Sequence, residues 1–136
     1  MSVWESLQNL AHAIDPWLEA AASRLAGEGL QAPGSIELIR RQLRSGEAIL
    51  LDVRGALETR ATPIPGAMTI PESQLGRRLR RIPRRRTVYV VCRGRYCLGA
   101  GEAVEYLRRK GFRAFRLSLS PFALTQELAR GRRGRL

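Results

Sequence analysis

The sequence predicts an α/β fold: an open, mostly parallel sheet flanked by helices, with an extra helical segment at the N-terminus. Three observations carry this. Ala48-Ile49-Leu50-Leu51 and Thr87-Val88-Tyr89-Val90-Val91 are short continuous apolar runs, as expected of strands buried on both faces. Helical stretches punctuated by glycine and proline alternate with these runs, which is the order that builds parallel crossovers. Asp52 and Arg54 directly follow the first run and Cys92 follows the second, so polar and reactive groups stand at strand carboxyl ends, the edge where open α/β sheets carry their sites.

Taken in order, Ser2-Val3-Trp4-Glu5 has the spacing of a capping box, and Trp4, Leu7, Leu10, Ala11 and Ile14 recur at helical spacing. Asp15-Pro16 reads as a fresh N-cap with proline at the first helical position. Trp17, Leu18, Ala21 and Leu25 extend the stripe to Gly27. Residues 1–34 are therefore expected as an N-terminal helical extension whose stripe packs on the main domain or on a second copy of the chain, a homodimer contact. Ser35 is the expected N-cap of a helix that buries Ile36, Leu38, Ile39 and Leu43 and stops at Gly46. The strand 48–51 follows, then a loop from Gly55 to Gly66 rich in proline and threonine. Ala67–Ile70 reads as a second strand, and Ser73–Ile82 as a short basic helix resting on Leu75, Leu79 and Ile82 and ended by Pro83. After the strand 87–91 and the loop Cys92–Cys97, a helix runs from Leu98 to Lys110, capped by Gly111. Phe112–Leu117 alternates with period 2 as a fourth strand, and Ser120-Pro121 opens a last helix to about Arg130.

With 136 residues the chain is expected to form one main domain, residues 35–136, with a real core. No run approaches the roughly 18 apolar residues of a membrane span, and the N-terminus lacks the pattern of a secretion signal, so a cytoplasmic address is expected. Two cysteines make no disulfide framework, and in a reducing compartment a pair in one short loop points to chemistry. His12 is the only histidine and is remote in sequence, so no metal site is expected and none of the residues implies a cofactor. The net charge is +12, unevenly spread: residues 1–34 hold four acids against one base, the remainder eight acids against 23 bases, all arginine except Lys110. Such a surface attracts anions. Nucleic acid stays open as a partner but is not the expected one, because no aromatics interleave the basic runs and no nucleic-acid motif is present.

The loop after the third strand concentrates the chemistry. Backbone N–H groups at a helix start lack intrahelical partners, the helix dipole favours negative charge there, and Arg93 and Arg95 add permanent cations. Together they favour the Cys92 thiolate, below the thiol reference of about 8.5. Gly94 permits a turn with positive φ. Two readings of Cys97 stand open: a partner that resolves a modified Cys92 as a disulfide, or a small residue packed at the helix start. Tyr96 walls the pocket, stacks on a substrate, or simply packs.

Leu51-Asp52-Val53-Arg54, then Ile64-Pro65-Gly66-Ala67 with Ile70-Pro71, then the strand–Cys92-Arg93-Gly94 loop and the helix ending in Gly111-Phe112, resemble a rhodanese domain over about residues 35–130. The loop Cys92-Arg93-Gly94-Arg95-Tyr96-Cys97 is similar to that of rhodanese domains fused to arsenic-responsive repressors, although residues 1–34 are too short for a winged helix. The resemblance implies a sulfurtransferase. Cys92 would take sulfane sulfur from a small anionic donor such as thiosulfate, or from a persulfide, and pass it to a thiol or other thiophilic acceptor. Amides from Arg93, Gly94, Arg95, Tyr96 and Cys97 to Leu98 would hold the persulfide anion, and Asp52 and Arg54 would support the loop from the neighbouring strand end. Two other classes remain. The stretch from Cys92 to Gly111 is about two residues longer than in common single-domain rhodaneses, which means either a wider loop, suited to an arsenate- or phosphate-sized oxyanion, or a longer helix. A non-catalytic sensor or partner-binding module would instead use a reversible Cys92–Cys97 bridge.

Overall fold

The computed structural model describes Ala32, residues 34–94 and residues 97–133, with backbone only for Leu98 and residues 131–133. The expected N-terminal extension, its self-association, Arg95 and Tyr96 lie outside the described residues. Helix α1 (Ile36–Ser45) begins where Ser35 Oγ accepts the Leu38 N–H at 3.3 Å and ends at Gly46, whose φ of 81° is the left-handed cap that stops a helix. Strand β1 (Ala48–Asp52) follows, then α2 (Ala56–Ala61) and β2 (Met68–Thr69). Two 3-10 helices, Glu72–Arg77 and Leu79–Arg81, lead to β3 (Thr87–Val91), α3 (Leu98–Arg109), β4 (Ala114–Arg116) and α4 (Pro121–Arg133). Ser120 caps α4 through the Ala123 N–H at 3.2 Å. Among the described residues no helix is long and apolar enough to cross a membrane.

The four strands form one sheet in the order β2-β1-β3-β4, every pair parallel. Consecutive side chains of β3 go to opposite faces, so its continuous apolar run serves two cores at once. Val88 and Val90, with Cys92 beyond the strand, join Ala103, Val104, Leu107 and Phe112 on the α3 side. Tyr89 and Val91 join Ile39 of α1 and Leu124 of α4 on the other. Each buried aliphatic side chain contributes about 1.5–3 kcal/mol, and helices on both faces are what a parallel sheet requires. The connection leaving β1 goes to β2 on one side, while the one leaving β3 goes to β4 on the other. The gap between β1 and β3 is therefore the switch point, and Asp52 pairs in register with Val91 across it.

Four elements differ from the sequence reading. The second strand, read over Ala67–Ile70, is only Met68–Thr69. The 55–66 loop contains α2, built from Ala, Leu and Glu of good helix propensity and anchored by the Gly55 N–H donating to Glu58 Oε2 at 3.3 Å. The span read as one basic helix forms two 3-10 helices broken at Arg78, in a stretch bounded by Pro71 and Pro83 and interrupted by Gly76, a residue of poor helix propensity. The terminal strand is three residues, not six, since only Ala114–Arg116 lies against β3. The helix α3 ends as expected: Gly111 (φ 90°) donates to Arg108 O and Phe112 N donates to Leu107 O, both at 3.0 Å, a Schellman closure.

Candidate active site

Strand β3 delivers Cys92 to the carboxyl edge of the sheet, at the β1/β3 switch point, and there the side chain is 3% exposed. The chain turns at Gly94, whose φ of 137° lies in a region that residues with a side chain rarely adopt. The turn closes with Cys97 N donating to Gly94 O at 3.2 Å. Cys97 is then the N-cap residue of α3, with no capping bond from its side chain. The two cysteines are joined as a disulfide, with Cα atoms 6.2 Å apart. The sulfurs thus lie at the N-terminus of a helix of 12 residues, where its dipole favours negative charge.

Arg93 is aimed at this pair. Its Nη1 lies 4.0 Å from Cys92 Sγ and 3.9 Å from Cys97 Sγ. Its opposite edge is gripped by Glu58 of α2: Nη2 donates to Oε2 at 2.6 Å and Nε donates to Oε1, a two-point pairing that fixes the guanidinium plane. The hydrogen bond from Arg93 holds the Glu58 carboxyl below the usual carboxylate range, and the same bond raises Arg93 above the ordinary arginine value. Beneath the loop, Arg116 of β4 is 3% exposed and donates from Nη2 to Gly94 O at 3.1 Å, fixing the turn from below. Burial lowers the Arg116 pKa from its ordinary value.

Asp52 and Arg54 are buried at the end of β1 and paired with each other. Arg54 Nε donates to Asp52 Oδ1 at 3.0 Å and Nη2 to Oδ2 at 2.8 Å, while the Arg54 backbone N–H also reaches Oδ1 at 3.0 Å. The remaining donors of Arg54 go to Thr62 Oγ1 and Thr62 O at 2.8 and 2.7 Å, and Thr59 Oγ1 donates to Asp52 Oδ2 at 3.4 Å. Their direct hydrogen bonds therefore run to the β1–β2 connection, and that connection carries Glu58. From that connection Glu58 reaches across to Arg93 of the cysteine loop.

The structure thus brings Cys92, Arg93, Gly94 and Cys97 together, with the backbone of Leu98 opening the helix beside them. Two residues of the site were not singled out in the sequence. Glu58 sits in a stretch whose prolines and threonines read as a loop. Arg116 was legible, because the alternation that puts Phe112 and Ala114 on the buried face puts Arg116 there too. A charge on the buried face of a strand asks for a partner. The packing partner of the helix start also emerges: the Glu72 carboxylate occupies the space that any side chain at Gly99 would fill. Burial raises the Glu72 pKa first, and hydrogen bonding and repulsion from Glu102 raise it further.

An open parallel sheet with a cysteine at the end of a central strand, a glycine turn and a helix start at the switch point defines a class of thiol-bearing α/β domains. Comparison with known proteins gives the family. The rhodanese-like domain family matches residues 35–120, and the chain belongs to it. The chain is 39% identical over 97 residues to the HTH-type transcriptional regulator Rv0324 of Mycobacterium tuberculosis, a match covering 71% of this chain and 42% of the regulator. It therefore spans less than half the length of that relative. Among solved structures it is similar to a rhodanese-like domain protein from Staphylococcus aureus, at 26% identity and a TM-score of 0.56, covering 65% of this chain and 86% of that one. It is also similar to part of the reduced CoADR-RHD of Bacillus anthracis, at 25% identity and a TM-score of 0.59, covering 77% of this chain and 18% of that one.

Proposed function

We propose that the chain is a sulfurtransferase that moves sulfane sulfur through a Cys92 persulfide. The observation that carries this reading is the seat of Cys92: the end of a central strand, the start of α3, and the Arg93 guanidinium turned toward its sulfur. The reaction needs the reduced pair, so a thiol first opens the Cys92–Cys97 bond. The Cys92 thiolate then attacks the outer sulfur of thiosulfate or of a persulfide. The donor's S–S bond breaks, and sulfite or a thiolate leaves with the electron pair. An acceptor thiolate next attacks the outer sulfur of the Cys92 persulfide, and Cys92 departs as thiolate. Arg93 offsets the charge of the anionic donor, the helix start favours the persulfide anion, and Arg116 keeps the turn in place through Gly94. A cytoplasm that holds thiols reduced suits this cycle.

The test is transfer from thiosulfate to cyanide, read as thiocyanate. Wild type is expected to turn over and Cys92→Ala to lose all turnover above the uncatalysed rate. Equal turnover by both proteins would end this reading. The bridged cysteines favour a second one, a sulfane-sulfur sensor whose bridge is its output. A sensor would stay bridged after polysulfide exposure and support no thiocyanate formation.

A further inference from the structure

The bridge between Cys92 and Cys97 is a chemical relation as well as a structural one, because a thiol that bonds to Cys92 Sγ in the folded loop is placed to attack that sulfur when it carries another. Three features support this. Cys97 needs no side-chain hydrogen bond to cap α3, so its sulfur is not engaged elsewhere by the helix. It shares the dipole of that helix start, which favours its thiolate. Arg93 Nη1 stands almost equally far from the two sulfurs, at 4.0 and 3.9 Å, so one cation serves an attacking thiolate and a departing anion alike.

We propose that Cys97 gives this domain a further activity: it discharges the Cys92 persulfide as hydrosulfide. The proposal rests on the sulfur-transfer reading above. The Cys97 thiolate attacks Cys92 Sγ, the inner sulfur of the persulfide. The Cys97–Cys92 S–S bond forms and the bond to the outer sulfur breaks. The outer sulfur leaves with the electron pair and takes the proton that Cys97 gave up, or that the persulfide carried, to depart as hydrosulfide. The two-electron reduction of the outer sulfur balances the two-electron oxidation of the cysteine pair. Two equivalents of a low-molecular-weight thiol then reset the bridge by thiol–disulfide exchange. In the bridged form Cys92 is buried while Cys97 is half-buried, so the incoming thiol attacks Cys97 Sγ and frees Cys92 first. Acceptor supply thus selects between two fates: transfer when an acceptor is present, release of sulfide when it is not.

The experiment uses the full chain, reduced and freed of reductant under anaerobic conditions, then mixed with thiosulfate and no acceptor. Intact mass after acid quenching and the amount of sulfide released are followed together. Wild type is expected to gain one sulfur and then to lose it, ending two hydrogens lighter than the reduced chain, with close to one hydrosulfide released per chain. Cys97→Ser is expected to keep the added sulfur and release at least tenfold less sulfide over the same interval. A wild-type persulfide as long-lived as that of Cys97→Ser overturns the discharge step while leaving sulfur loading on Cys92 standing. If neither protein gains sulfur, the transfer reading fails and the discharge fails with it. Cys92→Ala, expected to gain no sulfur, marks the difference.

Discussion

Arg93 is an exposed side chain doing an ordered job. An arginine on a surface loop normally samples many rotamers, and an exposed ion pair holds it only weakly. Here both edges of the guanidinium are committed, one to the Glu58 carboxylate and the other toward two sulfurs. Glu58 acts through Arg93, as a positioning residue. Replacing it by glutamine keeps the shape of the contact and removes the charge that orients the cation. Glu58→Gln is expected to raise KM for thiosulfate several-fold with a smaller change in kcat. The pair itself carries a pH signature. The Glu58 pKa is lowered in the folded chain, so its contribution is present above the unfolded carboxylate pKa and is lost as pH falls through the lower folded value. Sulfur loading by wild type should therefore stay insensitive to Glu58 through the ordinary carboxylate range and weaken only below it. Loading rates measured against pH for both proteins check this, and an unchanged KM and profile in Glu58→Gln would remove the positioning role.

At the scale of elements, the decisive unit is the β1–β2 connection. None of the residues of α2 is buried, and Leu57 on it is 79% exposed, so hydrophobic packing does not hold it. Its attachment is polar: the buried Asp52–Arg54 pair, with Thr62 and Thr59 filling the outer hydrogen-bonding positions. Removing one partner leaves the other charge buried and alone. Arg54→Ala is expected to cost about 3–5 kcal/mol by denaturant unfolding, whereas replacing both members with apolar residues of similar volume costs less than either single change. A double variant less stable than Arg54→Ala alone would contradict this. The contact between the first 3-10 helix and α3 behaves oppositely. The Glu72 pKa is raised by burial and then by Glu102, so its ionisation disfavours the fold as pH rises through the folded value. Glu72→Gln should raise Tm at neutral pH, and the gain should fade as pH drops below the carboxylate range. A gain independent of pH would point to packing instead.

The same elements show what was legible in the sequence. Helices with chemical ends were readable, because Ser35, Gly46, Ser120 and Gly111 each perform the capping their residue type favours. The central strands were readable because burial on both faces leaves only apolar residues. Helix α2 was not, since a helix that buries no side chain has no apolar stripe to announce it. Glu58 was hidden with it. The partner of Arg93 lies 35 residues away in sequence, and only the adjacency of β1 and β3 brings the two loops together.

For the molecule as a whole, the parallel sheet sets what the site can be. All four strands point the same way, so their carboxyl ends gather Asp52, Cys92 and Arg116 at one edge. The two apolar cores lie below that edge and hold it rigid. Among the described residues, three charged groups at the edge are each tied to a neighbour: Asp52 to Arg54, Arg93 to Glu58, Arg116 to the Gly94 carbonyl. What this arrangement leaves for chemistry is the sulfur of Cys92, with Cys97 and Arg93 beside it. The most direct measurement of that claim is the intact mass of the reduced chain within the first moments of mixing with thiosulfate, wild type against Cys92→Ala. Wild type should gain the mass of one sulfur that cyanide removes, and Cys92→Ala should gain nothing. An equal gain in both proteins, or no gain in either with no more sulfide released by wild type than by Cys92→Ala, would contradict the assignment of Cys92 as the carrier of sulfur.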